Sequence, residues 1–271
     1  MTTTTEHDLS KYLDAAVGAA KRAAAVQEHW RDRFRIREKA PADLVTDADL
    51  ATQREIFTYL AGEFPDHVLL GEEQLPDFPT ETPAADDPRP TWIIDPIDGT
   101  VNYAHDAPAY CVSIGLRVAG ELCVGVIYDH RADEMFAAAT GLGATLNGEP
   151  MRVSEITNLR EGLLSTGLPA DVSEQLRGVE WWKYFASRAQ ALRRTGSTAL
   201  NLAYVACGRF DGYFAFANKA WDVAAGVVLV REAGGEVTSV DGSPHDPFRP
   251  DIAATNGRLQ APLLECLRDG P

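Results

Sequence analysis

The sequence predicts an α/β chain built of layers of helix and mixed sheet, neither a β-sandwich nor a helix bundle. Three observations carry that expectation. The N-terminal stretch repeats apolar residues at helical spacing. The middle of the chain alternates short apolar strands with turn residues. The second half alternates strand-like and helix-like segments.

Leu9, Leu13, Ala16, Val17, Ala20 and Ala24 recur at three- and four-residue spacing, so a helix is expected from Asp8 to about Arg33. Residues 1–7 are polar and threonine-rich and are expected to form a disordered tail. Pro41 marks a break. A second helix is expected from about Asp47 to Phe64, with Thr46 as its cap and Asp49 three residues later. Val68-Leu69-Leu70 reads as a short buried strand that ends at Gly71-Glu72-Glu73. Residues 76–90 hold five prolines and read as a loop. Thr91-Trp92-Ile93-Ile94 is a strand running into Asp95, and Pro96 is expected to stop it, because proline has no amide proton for the ladder. Residues 110–118 and 121–128 read as a hairpin turning at Ala119-Gly120, followed by a strand at 134–139. Gly141, Gly143, Asn147 and Gly148 predict turns. Beyond them, strands are expected near 163–166, 191–194, 211–216 and 252–255, and helices near 171–189, 198–208, 222–233 and 260–268. No internal repeat is present. Residues 8–271 are expected to form one domain of two packed halves, about 8–150 and 151–271.

Composition narrows the function classes. Of 271 residues, 45% are hydrophobic and 24% charged, which is ordinary for a globular chain. The net charge is −15 and the pI about 4.8. Nucleic acid and anionic membrane would both repel such a chain, so neither is expected as a partner. A phosphorylated substrate would be repelled too, unless divalent cations reverse the sign locally. No run of 18 apolar residues occurs and the first residues lack the pattern of a signal peptide. Cys111, Cys123, Cys207 and Cys266 form no C-x-x-C pair and read as reduced, structural thiols. The expected location is cytoplasmic.

Chemistry concentrates in Trp92-Ile93-Ile94-Asp95-Pro96-Ile97-Asp98-Gly99-Thr100. An apolar strand delivers Asp95 to its carboxyl end, and Gly99 permits a tight, positive-φ turn. The carboxylates of Asp95 and Asp98, the carbonyl of Ile97 and the hydroxyl of Thr100 can then converge. Oxygen donors of this kind suit a hard cation such as Mg²⁺. An isolated D-P-x-D-G is as readily a plain turn. The preceding apolar strand and the following threonine favour a site. Glu72, at a strand end after a glycine, is placed to point into a crevice. Taken alone, Asp49 reads as a capping-box partner of Thr46, and Asp222, after Trp221, reads as the N-cap of the helix 222–233.

Taken together, these pieces resemble the inositol monophosphatase family of Mg²⁺-dependent phosphatases. The matching segments are Asp43-Leu44-Val45-Thr46-Asp47-Ala48-Asp49, Gly71-Glu72-Glu73, Trp92 to Tyr103, Gly143 to Gly148, Arg194-Thr195-Gly196-Ser197-Thr198-Ala199 and Trp221-Asp222-Val223-Ala224-Ala225-Gly226. The resemblance implies the layered α-β-α-β-α sandwich shared with fructose bisphosphatases. It implies that Glu72, Asp95 and the Ile97 carbonyl hold a first Mg²⁺, that Asp95, Asp98 and Asp222 hold a second, and that Glu72 shares a weaker third. Asp49 or Glu72, with Thr100, would orient and deprotonate the attacking water. Glu72, Asp98, Gly99, Thr100, Gly196, Ser197 and Asp222 would bind the substrate, with the amides after Gly99 and Gly196 cradling phosphate oxygens. A homodimer, lithium sensitivity and a small phosphorylated metabolite as substrate are implied as well.

The chain departs from the family at Ala215. Inositol-selective members carry a glutamate there, six residues before the W-D pair, that contacts ring hydroxyls. Pocket polarity there would come from the neighbourhood of Asn218 and Lys219 if they face inward, but both read more readily as solvent-facing loop residues. Inositol monophosphate, histidinol phosphate, sugar phosphates and 3′-phosphoadenosine nucleotides all remain candidate substrates, and Val101-Asn102-Tyr103 resembles the inositol or histidinol branch more than the nucleotide branch. Two rivals stand against this reading. A haloacid-dehalogenase-type phosphatase needs D-x-D, whereas Asp95 and Asp98 are three apart. A non-catalytic cation-binding protein leaves Thr100 without a purpose. His105 reads as a solvated loop residue. The aromatic set Trp181, Trp182, Tyr184 and Phe185 reads equally as core or as a dimer contact.

Overall fold

Alanine spacing builds the first element. The computed structural model describes residues 6–40, 43–78, 82–84, 87–168 and 172–271. In helix α1 (Glu6–Trp30), Ala16, Ala19, Ala20 and Ala23 are fully buried, so the helix lies close on its neighbours. The expected break at Pro41, residues 1–5 of the expected tail and parts of the proline-rich segment lie outside the described residues. Around that break runs a ribbon unmarked in the sequence, β1 (Ile36–Ala40) paired antiparallel with β2 (Asp43–Thr46). Helix α2 (Asp47–Glu63) begins at the expected cap. Thr46 accepts from the amides of Ala48 and Asp49, and the Asp49 carboxylate accepts from the Thr46 amide at 2.8 Å.

A seven-stranded sheet follows in chain order: β3 (Val68–Gly71), β4 (Thr91–Asp98), β5 (Cys111–Val118), β6 (Glu121–Asp129), β7 (Glu134–Ala139), β8 (Gly143–Leu146) and β9 (Glu149–Pro150). The pair β3–β4 is parallel and the rest are antiparallel. A short helix, α3 (Thr100–Ala104), leaves β4 through Gly99, whose φ is 102°. The hairpin turns where expected, with Ala119 and Gly120 at φ 49° and 91°. The glycines at 141–148 do more than turn, since they flank β8 and β9.

The second half contributes β10 (Leu163–Thr166), α4 (Val172–Ala186), β11 (Ala191–Arg193), α5 (Thr198–Ala206), β12 (Gly212–Ala215), α6 (Ala220–Glu232), β13 (Glu236–Thr238), β14 (Ile252–Thr255) and α7 (Gln260–Arg268). Its five strands take the order β11-β10-β12-β14-β13, with β10 parallel to both its neighbours and β14 antiparallel to both of its own. Helices α1 and α2 cover one face of the large sheet, α5 and α6 lie between the sheets, and α4 and α7 cover the outer face of the small one. These are the five layers α-β-α-β-α that the resemblance implies.

Alternation along the strands sorts the core. Val112, Ile114 and Leu116 of β5 pack toward α1 and α2, and Cys111 packs toward α5 and α6. Helix α6 is apolar almost all round, Val223 to Val230, because both sheets press on it. Gly115 and Gly125 face each other in register across β5 and β6. A Cβ on Gly115 would come within 2.8 Å of Ala224, and one on Gly125 within 2.3 Å of the Ala225 carbonyl. Those two glycines let α6 rest directly on the sheet.

Two expectations about the site need correction here. Strand β4 does not stop at Pro96. It continues to Asp98 through an irregularity in which Asp95 pairs with Ser113 and Asp98 with Cys111. Two residues of β4, Pro96 and Ile97, thus oppose one of β5, Val112, a bulge that tolerates proline. Helix α6 starts at Ala220, two residues earlier than expected, so Asp222 is not an N-cap but lies in the first turn. All four cysteines are free, as expected.

Candidate metal and phosphate site

The bulge in β4 gives Asp95 and Asp98 a common face. In a regular strand, residues three apart point to opposite sides. The extra residue restores the phase, so both lie opposite same-face residues of β5, Ser113 and Cys111. Ser113 donates to the Trp221 carbonyl at 3.2 Å, which ties this face to the start of α6 and to Asp222. On the far side of the bulge, the buried Gln27 side chain donates to the Pro96 carbonyl at 2.7 Å.

Asp95 is 2% exposed. Its Oδ1 accepts from the Ile97 amide at 3.0 Å, which folds the bulge back on itself. Burial, then the charges of Glu72, Asp98, Asp222 and Asp49, push its carboxyl well above the usual carboxylate range. Asp222 is likewise pushed well up, by burial and then by Asp98, while its Oδ2 accepts from the Lys219 amide at 2.7 Å. Burial raises Asp98 to about 6 against the hydrogen bonds that lower it.

Those bonds correct a further expectation. Asp98 Oδ2 accepts from Ser197 Oγ at 2.5 Å and from the Ala199 amide at 2.6 Å, and Oδ1 accepts from the Thr198 amide at 3.3 Å. The Ser197 amide goes to Thr195 Oγ1 and the Leu200 amide to Ser197 Oγ. The amides after Gly196 therefore do not stand ready for phosphate. The anion at the start of α5 is Asp98 itself. At α3 the first-turn amides after Gly99 lack helical partners by geometry and remain suited to an anion.

Asp49 is fully buried and serves two neighbours at once. Its Oδ2 takes the Thr46 amide and, at 2.5 Å, the Thr46 hydroxyl. Its Oδ1 faces Thr100 Oγ1 at 3.3 Å, and that hydroxyl is also 3.2 Å from the Ile97 carbonyl. Capping and site readings of Asp49 are thus compatible. Glu72 follows the last residue of β3, and its amide donates to the Ile94 carbonyl at 3.2 Å.

Gln53 was not a site candidate, yet it shapes the Glu72 turn. Its amide accepts from the Glu73 amide at 2.8 Å and donates to the Glu73 carbonyl at 2.6 Å. A Cβ on Gly71 would collide with that amide, at 2.5 Å. Asn102 also bridges the halves, donating to the carbonyls of Ala109 and Thr195 at 2.7 and 2.9 Å. A glutamine four residues after a helical cap partner has no local signal of such a role.

Other expectations resolve simply. Asn218 is buried, not solvent-facing, because Tyr213 Oη donates to its Oδ1 at 3.1 Å and its Nδ2 donates to the Pro250 carbonyl at 3.1 Å. Lys219 and His105 are exposed. Trp181 stacks on Phe185 and Phe216 beside the outer core.

Among the described residues, no three acidic, histidine or cysteine side chains close tightly enough to form a ready cation cage. The members of the acidic set act on one another through charge. Its chemistry nevertheless fits a hard cation. The principal charges acting on Asp95 are all negative, and buried carboxylates of like sign are costly unless a cation or a proton intervenes.

A five-layer body with acidic residues from both halves acting on one another through charge defines the class, and comparison with known proteins agrees. The profile described as the inositol monophosphatase family matches residues 8–270. The chain is 41% identical to the inositol-1-monophosphatase of Synechocystis sp. over 97% of this chain and 91% of that one. It is 36% identical to the Nus factor SuhB of Salmonella typhimurium, over 95% and 96%. The solved inositol monophosphatase of Anabaena (Nostoc) sp. superposes with a TM-score of 0.86 at 40% identity, covering 97% and 98% of the two chains. The chain belongs to the inositol monophosphatase family and is a phosphoric monoester hydrolase with a divalent-metal requirement. No helix among the described residues is long and apolar enough to cross a membrane.

Proposed function

We propose that the chain hydrolyses a small phosphate monoester of the inositol monophosphate type, with Mg²⁺ as the cation and water as the nucleophile. The observation that carries this reading is Asp95, buried among Glu72, Asp98, Asp222 and Asp49, with its carboxyl pushed well above the ordinary range. Glu72, Asp95 and the Ile97 carbonyl would hold one cation, and Asp95, Asp98 and Asp222 a second, with Glu72 sharing a weaker third. The cations supply positive charge for the phosphate and leaving oxygens and make water a better acid.

The protein's own groups do the rest. Thr100 lies 3.3 Å from Asp49 Oδ1, whose other oxygen is committed to Thr46. That geometry holds Asp49 as an acceptor, so Thr100 with Asp49 or Glu72 orients the attacking water and takes its proton. The first-turn amides after Gly99 bind phosphate oxygens. Ser197 and the turn at Gly196 contribute by fixing Asp98, not by touching phosphate. The working unit is read as a homodimer, checked by light scattering.

Phosphate release from inositol monophosphate, histidinol phosphate, a hexose phosphate and 3′-phosphoadenosine 5′-phosphate, with Mg²⁺ and with chelator, tests the proposal. Mg²⁺-dependent release from the first is expected. Release undiminished by chelator, or a phosphoaspartyl enzyme trapped by rapid quench, sinks it.

A further inference from the structure

Beside Asp222 lies a cavity of about 150 Å³ walled by Gly167, Leu168, Thr198, Ala215, Ala217 and Asn218. It shares Asp222 with the acidic set and contains none of Glu72, Asp49 or Thr100. In-line displacement places the leaving group opposite the attacking water. On the function proposed above, on which this inference rests, the cavity is where the leaving alcohol lies.

Ala215 brings no polar group to that wall. The polar side chains there are Thr198 and Asn218, and the buried Tyr213 joins them. Thr198 Oγ1 and Tyr213 Oη are 3.1 Å apart, Tyr213 Oη and Asn218 Oδ1 are 3.1 Å apart, and Asn218 Nδ2 is 3.1 Å from the Pro250 carbonyl. The direction of each bond follows from what each atom can do. A carbonyl only accepts, so the Asn218 amide nitrogen faces Pro250 and its oxygen faces Tyr213. That oxygen also only accepts, so the single phenolic proton goes to Asn218. Tyr213 Oη is left as an acceptor, and the Thr198 hydroxyl must donate to it. The proton of Thr198 is therefore spent inside the wall. Its oxygen offers the cavity lone pairs alone. Gly167 keeps this end open, since a Cβ there would come within 3.1 Å of Tyr213 Oη.

We propose that Thr198, oriented by Tyr213 and Asn218, is the specificity-determining acceptor for a hydroxyl of an uncharged polyol leaving group. Asp222 is the one charged residue lining the cavity among the described residues, and it is assigned to a cation. A cationic aminoalcohol thus finds no free carboxylate at this wall.

The test compares kcat/KM of the full chain with Mg²⁺ on myo-inositol 1-phosphate, glycerol 2-phosphate, phosphoethanolamine and 4-nitrophenyl phosphate, whose leaving group carries no hydroxyl besides the ester oxygen. Thr198→Val keeps the shape and removes the acceptor. It is expected to lower the inositol-to-nitrophenyl ratio about tenfold, mainly through KM, as for loss of one hydrogen bond of about 1.4 kcal/mol. Thr198→Ser should restore most of the ratio. Tyr213→Phe frees the threonine proton and should lower the ratio severalfold. A ratio unchanged in Thr198→Val, or a wild-type preference for phosphoethanolamine over both polyol esters, overturns this inference while leaving the proposed function standing. No hydrolysis of any ester by the wild-type chain overturns the proposed function, and this inference with it.

Discussion

Two oxygens on one carboxylate explain much of this site. Asp49 spends Oδ2 on Thr46 and keeps Oδ1 for Thr100. Asp98 uses both oxygens on the start of α5 and still stands within the field of Asp95 and Asp222. Asp95 has one amide partner and four acidic neighbours. Asp95→Asn should therefore abolish Mg²⁺-dependent phosphate release, by 10³-fold or about that, given what single electrostatic groups contribute to catalysis. The same change should raise the melting temperature of the chelated protein, because it removes one buried charge from a repelling set. Calorimetry with chelator checks the second outcome, and a lowered melting temperature would contradict the reading. Ser197→Ala removes a 2.5 Å donor from Asp98 and should cost about 1–3 kcal/mol of stability in a urea titration.

At the scale of elements, the acidic set depends on how closely α6 approaches β5 and β6. Gly115 and Gly125 are the reason Asp222 can stand near Asp95, for any side chain there meets the α6 backbone. Gly125→Ala places a carbon 2.3 Å from the Ala225 carbonyl, so helix or sheet must shift. The expected cost is about 1–3 kcal/mol, with turnover falling further than stability alone explains. A fully active Gly125→Ala enzyme would show that this spacing is not critical. The turn that carries Glu72 has a comparable support in Gln53. Gln53→Leu removes both of its bonds to the Glu73 backbone and should lower both stability and Mg²⁺ affinity, read as a rise in the Mg²⁺ concentration for half activity.

Over the whole molecule, the acidic set links stability to pH and to cations. Burial lifts Asp98 to about 6 in the folded chain, and burial with the neighbouring carboxylates raises Asp95 and Asp222 as well. A carboxyl whose folded pKa is raised stabilises the fold below its unfolded pKa, near 3.8, and that contribution is lost as pH rises through about 6. Chelated protein should thus lose melting temperature between pH 5 and pH 7, and Asp95→Asn should lose less. Mg²⁺ should restore several degrees at pH 7 and fewer at pH 5, where protons compete for the same oxygens. An equal Mg²⁺ shift at both pH values would separate the acidic set from cation binding.

Much of this architecture is legible in local pattern. The helical spacing of Leu9 to Ala24, the cap at Thr46, the hairpin at Ala119-Gly120 and the strands at 134–139, 163–166 and 252–255 follow from periodicity and turn chemistry, which act over a few residues. The charged ribbon of β1 and β2 escapes such reading because Ile36-Arg37-Glu38 has neither period. The segment from Asp95 to Thr100 announces itself by composition, and the sequence alone determined that two acids flank Pro96-Ile97 at the end of an apolar strand. Only the tertiary structure decided how. The bulge at Pro96 turns Asp95 and Asp98 to one face, α5 gives its amides to Asp98 instead of to phosphate, and Tyr213 draws Asn218 inside. Bonds such as Asp98 to Ala199 join residues about a hundred positions apart, so they depend on how layers pack and leave no periodic trace in the chain.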